Sequence, residues 1–220
     1  MKSKTCIIIP AYNEEKNLPA VLKKIPNKYT VIVVDDGSTD DTKHIKHTKN
    51  VHMLNLKLNL GKAAAVCTGC QFAINFLKAN NLIFVDADGQ HNPKDIDKFV
   101  KKLETNDVVI GVRKDSDSMP LTLKIGNYLI AKFNKFLFGI DLPDATCGFR
   151  GMTAQAYERF SKEVDYHGYN FEVDMNTWVA KNNIKFDIIK IPTVYNDIWK
   201  GTGPLDGIKM LFRMVVLKIR

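Results

Sequence analysis

The sequence predicts an α/β fold built on a mostly parallel sheet with helices on both faces. Three observations carry that prediction. Five short apolar runs alternate with helical stretches over the first 113 residues, as a doubly wound sheet requires. The runs end in polar, glycine-bearing motifs, where open α/β sheets place their ligands. The chain has 220 residues, 45% hydrophobic and 25% charged, which is ordinary globular composition with enough apolar side chain for one sizeable core.

Thr5 to Ile9 reads as the first strand, closed by Pro10-Ala11-Tyr12-Asn13-Glu14-Glu15. Leu18, Val21, Leu22 and Ile25 then follow the i, i+3, i+4, i+7 spacing of a helix, with Asn17 as its N-cap and Pro19 in its first turn. Tyr29 to Val34 is a second strand, ending in Asp35-Asp36-Gly37-Ser38-Thr39-Asp40. Ser38 or Thr39 is expected to cap the short helix after it. Val51 to Leu56 is a third strand, and Asn59-Leu60-Gly61-Lys62 opens an alanine-rich helix to about Ala79. Leu82 to Val85 is a buried fourth strand, entered from Asn80-Asn81. Asn92 and Pro93 start the next helix as cap and first residue, with Ile96, Phe99, Val100 and Leu103 on one face. Asp107 to Val112 is a fifth strand, ending at Arg113.

Neither repeats, low-complexity tracts nor a linker interrupt the chain, so one domain over 1–220 is expected, its binding half at 1–115 and a different extension at 116–220. Met119 to Ile140 reads as a pair of helices broken near Gly126, with a basic edge from Lys124, Lys132 and Lys135. Gly207 to Arg220 reads as a basic amphipathic helix, with Ile208, Leu211, Phe212, Val215, Val216 and Ile219 on one side. Such a helix fits an anionic membrane surface, and equally a place on its own core or on a second subunit. No apolar run reaches the ~18 residues that would cross a bilayer, and no signal peptide is expected ahead of a strand that starts near Met1.

Formal net charge is +8, which favours an anionic partner. The lysines are scattered and no nucleic-acid motif accompanies them, so nucleic acid is not expected. Cys67 and Cys70 form a C-x-x-C, but no second Cys/His pair stands at zinc spacing and the two sulfurs share an apolar helix face. They read as core, and the four cysteines imply no disulfide framework and a reducing compartment.

The chemistry centres on Asp86-Ala87-Asp88-Gly89-Gln90-His91, at the end of the fourth strand. Two carboxylates and an amide oxygen at this spacing suit a hard cation, Mg²⁺ or Mn²⁺, and a cation there would neutralise a diphosphate leaving group. Glu14 and Asp36 can accept hydrogen bonds from a base or ribose, or can be a helix-start charge and a turn acid. Gly61-Lys62 can cradle a phosphate, or can be a turn glycine beside a surface lysine; the P-loop pattern is absent.

Taken together, Ile8-Ile9-Pro10-Ala11-Tyr12-Asn13-Glu14, Val33-Val34-Asp35-Asp36-Gly37-Ser38, Asn59-Leu60-Gly61-Lys62, Asp86-Ala87-Asp88-Gly89-Gln90-His91 and Cys147-Gly148-Phe149-Arg150 resemble the family 2 glycosyltransferases, in the family's order over about residues 5 to 152. The resemblance implies a GT-A-type, Rossmann-like fold. Within the family the Asp-Ala-Asp-x-Gln-His run is similar to dolichyl- and polyprenyl-phosphate sugar synthases, and the Cys-Gly-Phe-Arg loop to dolichyl-phosphate glucosyltransferases.

The resemblance implies inverting transfer of a hexose from a GDP- or UDP-sugar to a polyprenyl or dolichyl phosphate. It implies Asp86, Asp88 and Gln90 at the metal. Pro10, Ala11, Tyr12, Glu14, Val34, Asp36, Lys62, Asp86, Ala87, Arg113 and Lys200 would bind the donor, and Asp88, Arg113 and Arg150 would serve catalysis. Asp144 and Arg150 would lie in the loop on the sugar and acceptor side. The implied location is peripheral, at the cytoplasmic face of a membrane, with a homo-oligomer compatible. The segment Tyr195 to Pro204 departs from the mannosyl-phosphate pattern, since Lys200 is its only basic residue; the Gln-x-x-Arg-Trp motif of processive synthases is absent. A lipid phosphate needs no strong base, whereas a glycan or small-molecule hydroxyl would need one, for which Glu172 or Asp174 are the candidates.

Overall fold

The structure, a computed structural model, describes residues 4–114, 121–139, 141–142, 144, 146–163, 171–192 and 204–219. A seven-stranded sheet forms its middle. The strands are β1 (Thr5–Ala11), β2 (Thr30–Asp35), β3 (Val51–Asn55), β4 (Asn81–Phe84), β5 (Val108–Arg113), β6 (Arg150–Thr153) and β7 (Phe186–Ile191). Their spatial order is β3-β2-β1-β4-β6-β5-β7. All neighbours run parallel except β6, which is antiparallel to both β4 and β5.

The strand side chains alternate between two buried layers, as a period of two dictates. Ile8, Ile32, Val34, Leu82 and Phe84 face one side, beneath α2 (Lys62–Asn75), α5 (Ala154–Phe160) and α6 (Phe171–Lys181). Ile7, Ile9, Val31, Val33 and Ile83 face the other, beneath α1 (Leu18–Lys24) and α3 (Ile96–Lys102). Alanines at 63, 65 and 73 let α2 lie close on the sheet, and Cys67 and Cys70 are buried there, apolar and unbridged. A third cluster of Ile130, Val173, Met210 and Met214 joins α4 (Leu121–Phe138) and α7 (Pro204–Ile219) to α6.

Several local expectations change. Leu121–Phe138 is one continuous helix, not two broken at Gly126; nothing lies within 4 Å of where a Cβ would stand there, and one interior glycine costs a helix only ~1 kcal/mol. Asp40, rather than Ser38 or Thr39, caps the turn Asp41–His44 by accepting from the Thr42 N–H. The Ser38 hydroxyl instead accepts from the Asn13 N–H. Asn17 precedes α1 but does not cap it, because its amide donates to the Glu14 carboxylate.

The order β3-β2-β1 runs one way from β1 and β4 lies on its other side, so the switch in strand order falls between β1 and β4. Register brings Ala11 beside Asp35 and Ile8 beside Phe84, so the polar motifs after β1, β2 and β4 meet at one edge. Because β6 runs backwards, with Arg150 opposite Phe84, its entry loop reaches the same edge. Phe149 in that loop is wholly buried and stacks on Phe99 at 4.2 Å between ring centroids. Phe149→Ala should lower unfolding free energy by ~3–5 kcal/mol in chemical denaturation, whereas an exposed residue at this place would cost little.

Candidate functional site

Lys62, the first residue of α2, is the centre of the site. Its Nζ lies 2.6 Å from Asp86 Oδ1 and 2.6 Å from Glu172 Oε1. One ammonium thus joins the end of β4 to the start of α6, across the 86 residues of chain from Asp86 to Glu172. Burial would lower the Lys62 pKa, but the two carboxylates outweigh it and hold the ammonium charged above the ordinary lysine range. Burial would likewise raise the Asp86 carboxyl, yet Lys62, His91 and Arg113 bring it down to about 2. Asp88 goes the other way, to about 6, through burial and then the neighbouring Asp86 charge. One Asp88 oxygen accepts the Gln90 N–H at 2.9 Å.

The turn that presents Lys62 is fixed from β2. The Asp36 oxygens accept the Leu60 and Gly61 N–H groups, each at 2.9 Å. Asp36 is thereby a buried anchor of the Asn59-Leu60-Gly61-Lys62 turn. Gly37, with φ +71°, makes that approach feasible: a Cβ would stand 2.6 Å from the Leu58 carbonyl carbon.

Gly148 does the same on the other side. A Cβ there would fall 2.2 Å from Asp86 Oδ2, so the Cys-Gly-Phe-Arg loop can lie against the Asp86 carboxylate only with glycine at this place. His91 ends the same acidic motif, near the Asp86 backbone. It is buried, its ring lies 5.2 Å from Phe149, and burial lowers its pKa.

Arg113, at the end of β5, makes a two-pronged ion pair with Asp144 through Nε (2.6 Å) and a terminal nitrogen (2.9 Å), and also donates to Thr146 Oγ1. Against the pull of burial, Arg113 holds the Asp144 carboxyl below the usual carboxylate range. The pair is poised close enough to Asp86 for Arg113 to act on its charge.

The remaining sequence-selected residues divide by position. Pro10, Ala11 and Tyr12 stand at the end of β1, with Tyr12 exposed, and Ala87 lies buried between the two aspartates. Glu14 is buried, its carboxylate held by Asn17. The Val34 side chain is fully buried in the core layer beneath α2. Arg150 is also wholly buried: it donates to the Cys147 and Glu172 carbonyls and to Asn176 Oδ1, so it organises the loop and α6 from beneath. Glu172 and Asp174 are the candidate bases for a hydroxyl acceptor, and each is held by a cation. Glu172 binds Lys62, and Asp174 pairs with Arg213 of α7 through two hydrogen bonds of 3.0 Å. Lys200 lies outside the described residues.

Sequence reasoning missed Glu172 as the partner of Lys62 and Gly148 as the seat of Asp86. No local spacing encodes either contact; the only hint was the concentration of glycine and acid at strand ends.

Among the described residues no group of three or more His, Cys, Asp or Glu side chains stands ready to enclose a metal. The donor set still fits Mg²⁺ or Mn²⁺. Two carboxylates separated by one residue, Asp88 with its pKa raised by burial and then by Asp86, invite a cation, and Mg²⁺ is usually held by one or two carboxylates with substrate phosphates and water completing its shell.

Against known proteins, the model of glycosyl transferase family 2 matches residues 6–160. A UDP-N-acetylglucosamine–dolichyl-phosphate N-acetylglucosaminyltransferase of Methanococcus voltae is 30% identical, covering 97% of this chain and 95% of that protein. A polyprenol monophosphomannose synthase of Mycolicibacterium smegmatis is 27% identical, covering 93% of this chain and 82% of that one. The glucosyl-3-phosphoglycerate synthase of Mycobacterium tuberculosis, solved with Mn²⁺, UDP and phosphoglyceric acid, superposes with TM-score 0.70 over 98% of this chain and 77% of its own. At 17% identity that likeness speaks for the fold.

Gly148→Ala should cost transfer activity at least ~10²-fold, because it displaces Asp86 from its seat. Circular dichroism should remain that of the folded protein. Wild-type turnover would show that the loop does not set the carboxylate.

Proposed function

The chain belongs to glycosyl transferase family 2, a family of glycosyltransferases, and we propose that it moves a hexose from a nucleoside-diphosphate donor to a polyprenyl or dolichyl phosphate at a membrane surface. The observation that carries this reading is the acidic pair Asp86 and Asp88 at the β1/β4 switch point, flanked by the Lys62 and Arg113 cations. The two named relatives differ in sugar but share a lipid-phosphate acceptor, and the acceptor class is what this chain takes from them.

The donor's base and ribose lie by the β1 and β2 ends, near Tyr12, and its diphosphate lies over Asp86 and Asp88. These two carboxylates, with Gln90, would hold Mg²⁺ or Mn²⁺. Bound there, the cation would supply charge neutralisation to the departing diphosphate. Arg113, oriented by Asp144, adds a fixed positive charge on the same side. A lipid phosphate attacks the anomeric carbon from the opposite face, and the configuration inverts. Its second pKa is near ~6, so it is already a nucleophile at neutral pH. That Glu172 and Asp174 are each held by a cation supports this acceptor over a hydroxyl, which would call on one of them as base.

The membrane-facing surface is the outer side of α4 and α7. Ile125, Leu129 and Phe136 on α4 and Phe212, Val215 and Ile219 on α7 are exposed, opposite the buried Ile130, Met210 and Met214. Lys132, Lys209 and Lys218 are exposed on the same two helices, complementary to anionic headgroups. Arg213, on the same helix, is turned inward to Asp174. Three lysines near such a surface contribute roughly 3 kcal/mol before apolar insertion. No helix among the described residues is long and apolar enough to cross a membrane.

Asp88→Ala should reduce transfer to polyprenyl phosphate by at least ~10²-fold without unfolding the protein, and excess EDTA should do the same to wild type. Full activity in either case removes the cation from the reading. Flotation with anionic liposomes should carry the protein upward at low salt and less so at high salt, and Phe136→Glu with Phe212→Glu should abolish it. A protein that stays down and instead forms dimers broken by the same pair of changes would assign the face to a second copy.

A further inference from the structure

We infer that Lys62 is the resident cation of the acidic pair: it occupies Asp86 while the donor is absent and leaves it for the diphosphate, so that divalent cation and nucleotide bind as a coupled pair. This rests on the donor-site reading above and adds an order to it.

The geometry is specific. Lys62 Nζ sits on Asp86 Oδ1 at 2.6 Å, and Asp86 is one of the two carboxylates a divalent cation would use. An ammonium and a dication cannot both lie on that carboxylate without strong mutual repulsion. The Asp88 carboxylate, two residues on, instead accepts the Gln90 N–H at 2.9 Å. The backbone of Lys62 is held at the start of α2 by the Asp36-anchored turn, while the rotatable bonds of its four-carbon stem allow the ammonium a second position about that fixed origin. Glu172 holds the same ammonium from the far side, so in the donor-free protein Lys62 stays close to Asp86.

A diphosphate changes the balance by offering Lys62 new anionic oxygens in the same cleft. When Lys62 moves to them, Asp86 is released to the cation. Linkage makes the effect reciprocal: whatever nucleotide does for cation affinity, the cation does for nucleotide affinity. Couplings of this kind usually amount to roughly 5–150-fold.

Mn²⁺ binding, followed by electron paramagnetic resonance and titration calorimetry on the full chain, tests this with GDP and with UDP as probes. Wild type should bind Mn²⁺ weakly alone and about tenfold or more tightly with the preferred nucleotide, after correction for Mn²⁺–nucleotide association in solution. Lys62→Met should bind Mn²⁺ alone about tenfold more tightly than wild type, and nucleotide should then add little. A Lys62→Met protein that is folded by thermal unfolding, yet has unchanged or weaker Mn²⁺ affinity, overturns the inference. So does a wild type whose Mn²⁺ affinity is indifferent to nucleotide, a result that needs no variant. Failure of wild type to bind Mn²⁺ with or without either nucleotide would overturn the donor-site reading itself.

Discussion

Lys62 lies between Asp86 and Glu172, and the rest of the site depends on that bridge. Carboxylates packed against a buried glycine and a buried histidine at a strand end are expensive to ionise, and a cation in contact is what keeps Asp86 charged. The bridge also joins the two parts of the chain, since α2 belongs to the first βαβ units and α6 to the C-terminal region. Each support around it has one task. Asp36 fixes the turn that launches Lys62, Gly148 makes room for Asp86, and Arg150 holds the Glu172 carbonyl from beneath.

Helix α6 extends this arrangement to the surface. Two residues beyond Glu172, Asp174 grips Arg213 of α7, and Val173 between them packs with Met210 and Met214. The helices with the exposed apolar faces are therefore tied to the same short stretch of α6 that anchors Lys62. In the docking proposed above, such a connection would set the distance between a membrane surface and the acidic pair by packing and ion pairs, not by a flexible tether.

Much of the sheet was legible in the sequence because its strands are short apolar runs ending in acid or glycine. The run at Thr5 lies wholly in a strand, those at Val51 and Leu82 overrun theirs by one residue, at Leu56 and Val85, and the strands near Thr30 and Val108 shift by one residue at their start. β6 was not legible: four residues that include a wholly buried arginine carry no period-two signal. The helix at Gly126 was misread because a glycine's modest cost was weighed above a long amphipathic pattern. At the site, the motifs revealed which strand ends matter, but not how side chains pair. Lys62 with Glu172, Arg113 with Asp144 and Asp174 with Arg213 join positions 110, 31 and 39 residues apart, and only the folded register brings them together. Val34 shows a different limit: it shares a strand face with Asp36 two residues on, but it lies one step deeper in the layer beneath α2, where its side chain is fully buried.

The central claim is that nucleotide diphosphate and cation meet over Asp86 and Asp88 and draw Lys62 away from Asp86. A crystal structure with the preferred nucleoside diphosphate and Mn²⁺ tests it most directly. The account predicts anomalous density for Mn²⁺ between the two aspartates and the diphosphate, with Lys62 Nζ in contact with a phosphate oxygen. A diphosphate bound elsewhere, or Mn²⁺ absent from the aspartates while Lys62 stays on Asp86, would contradict it.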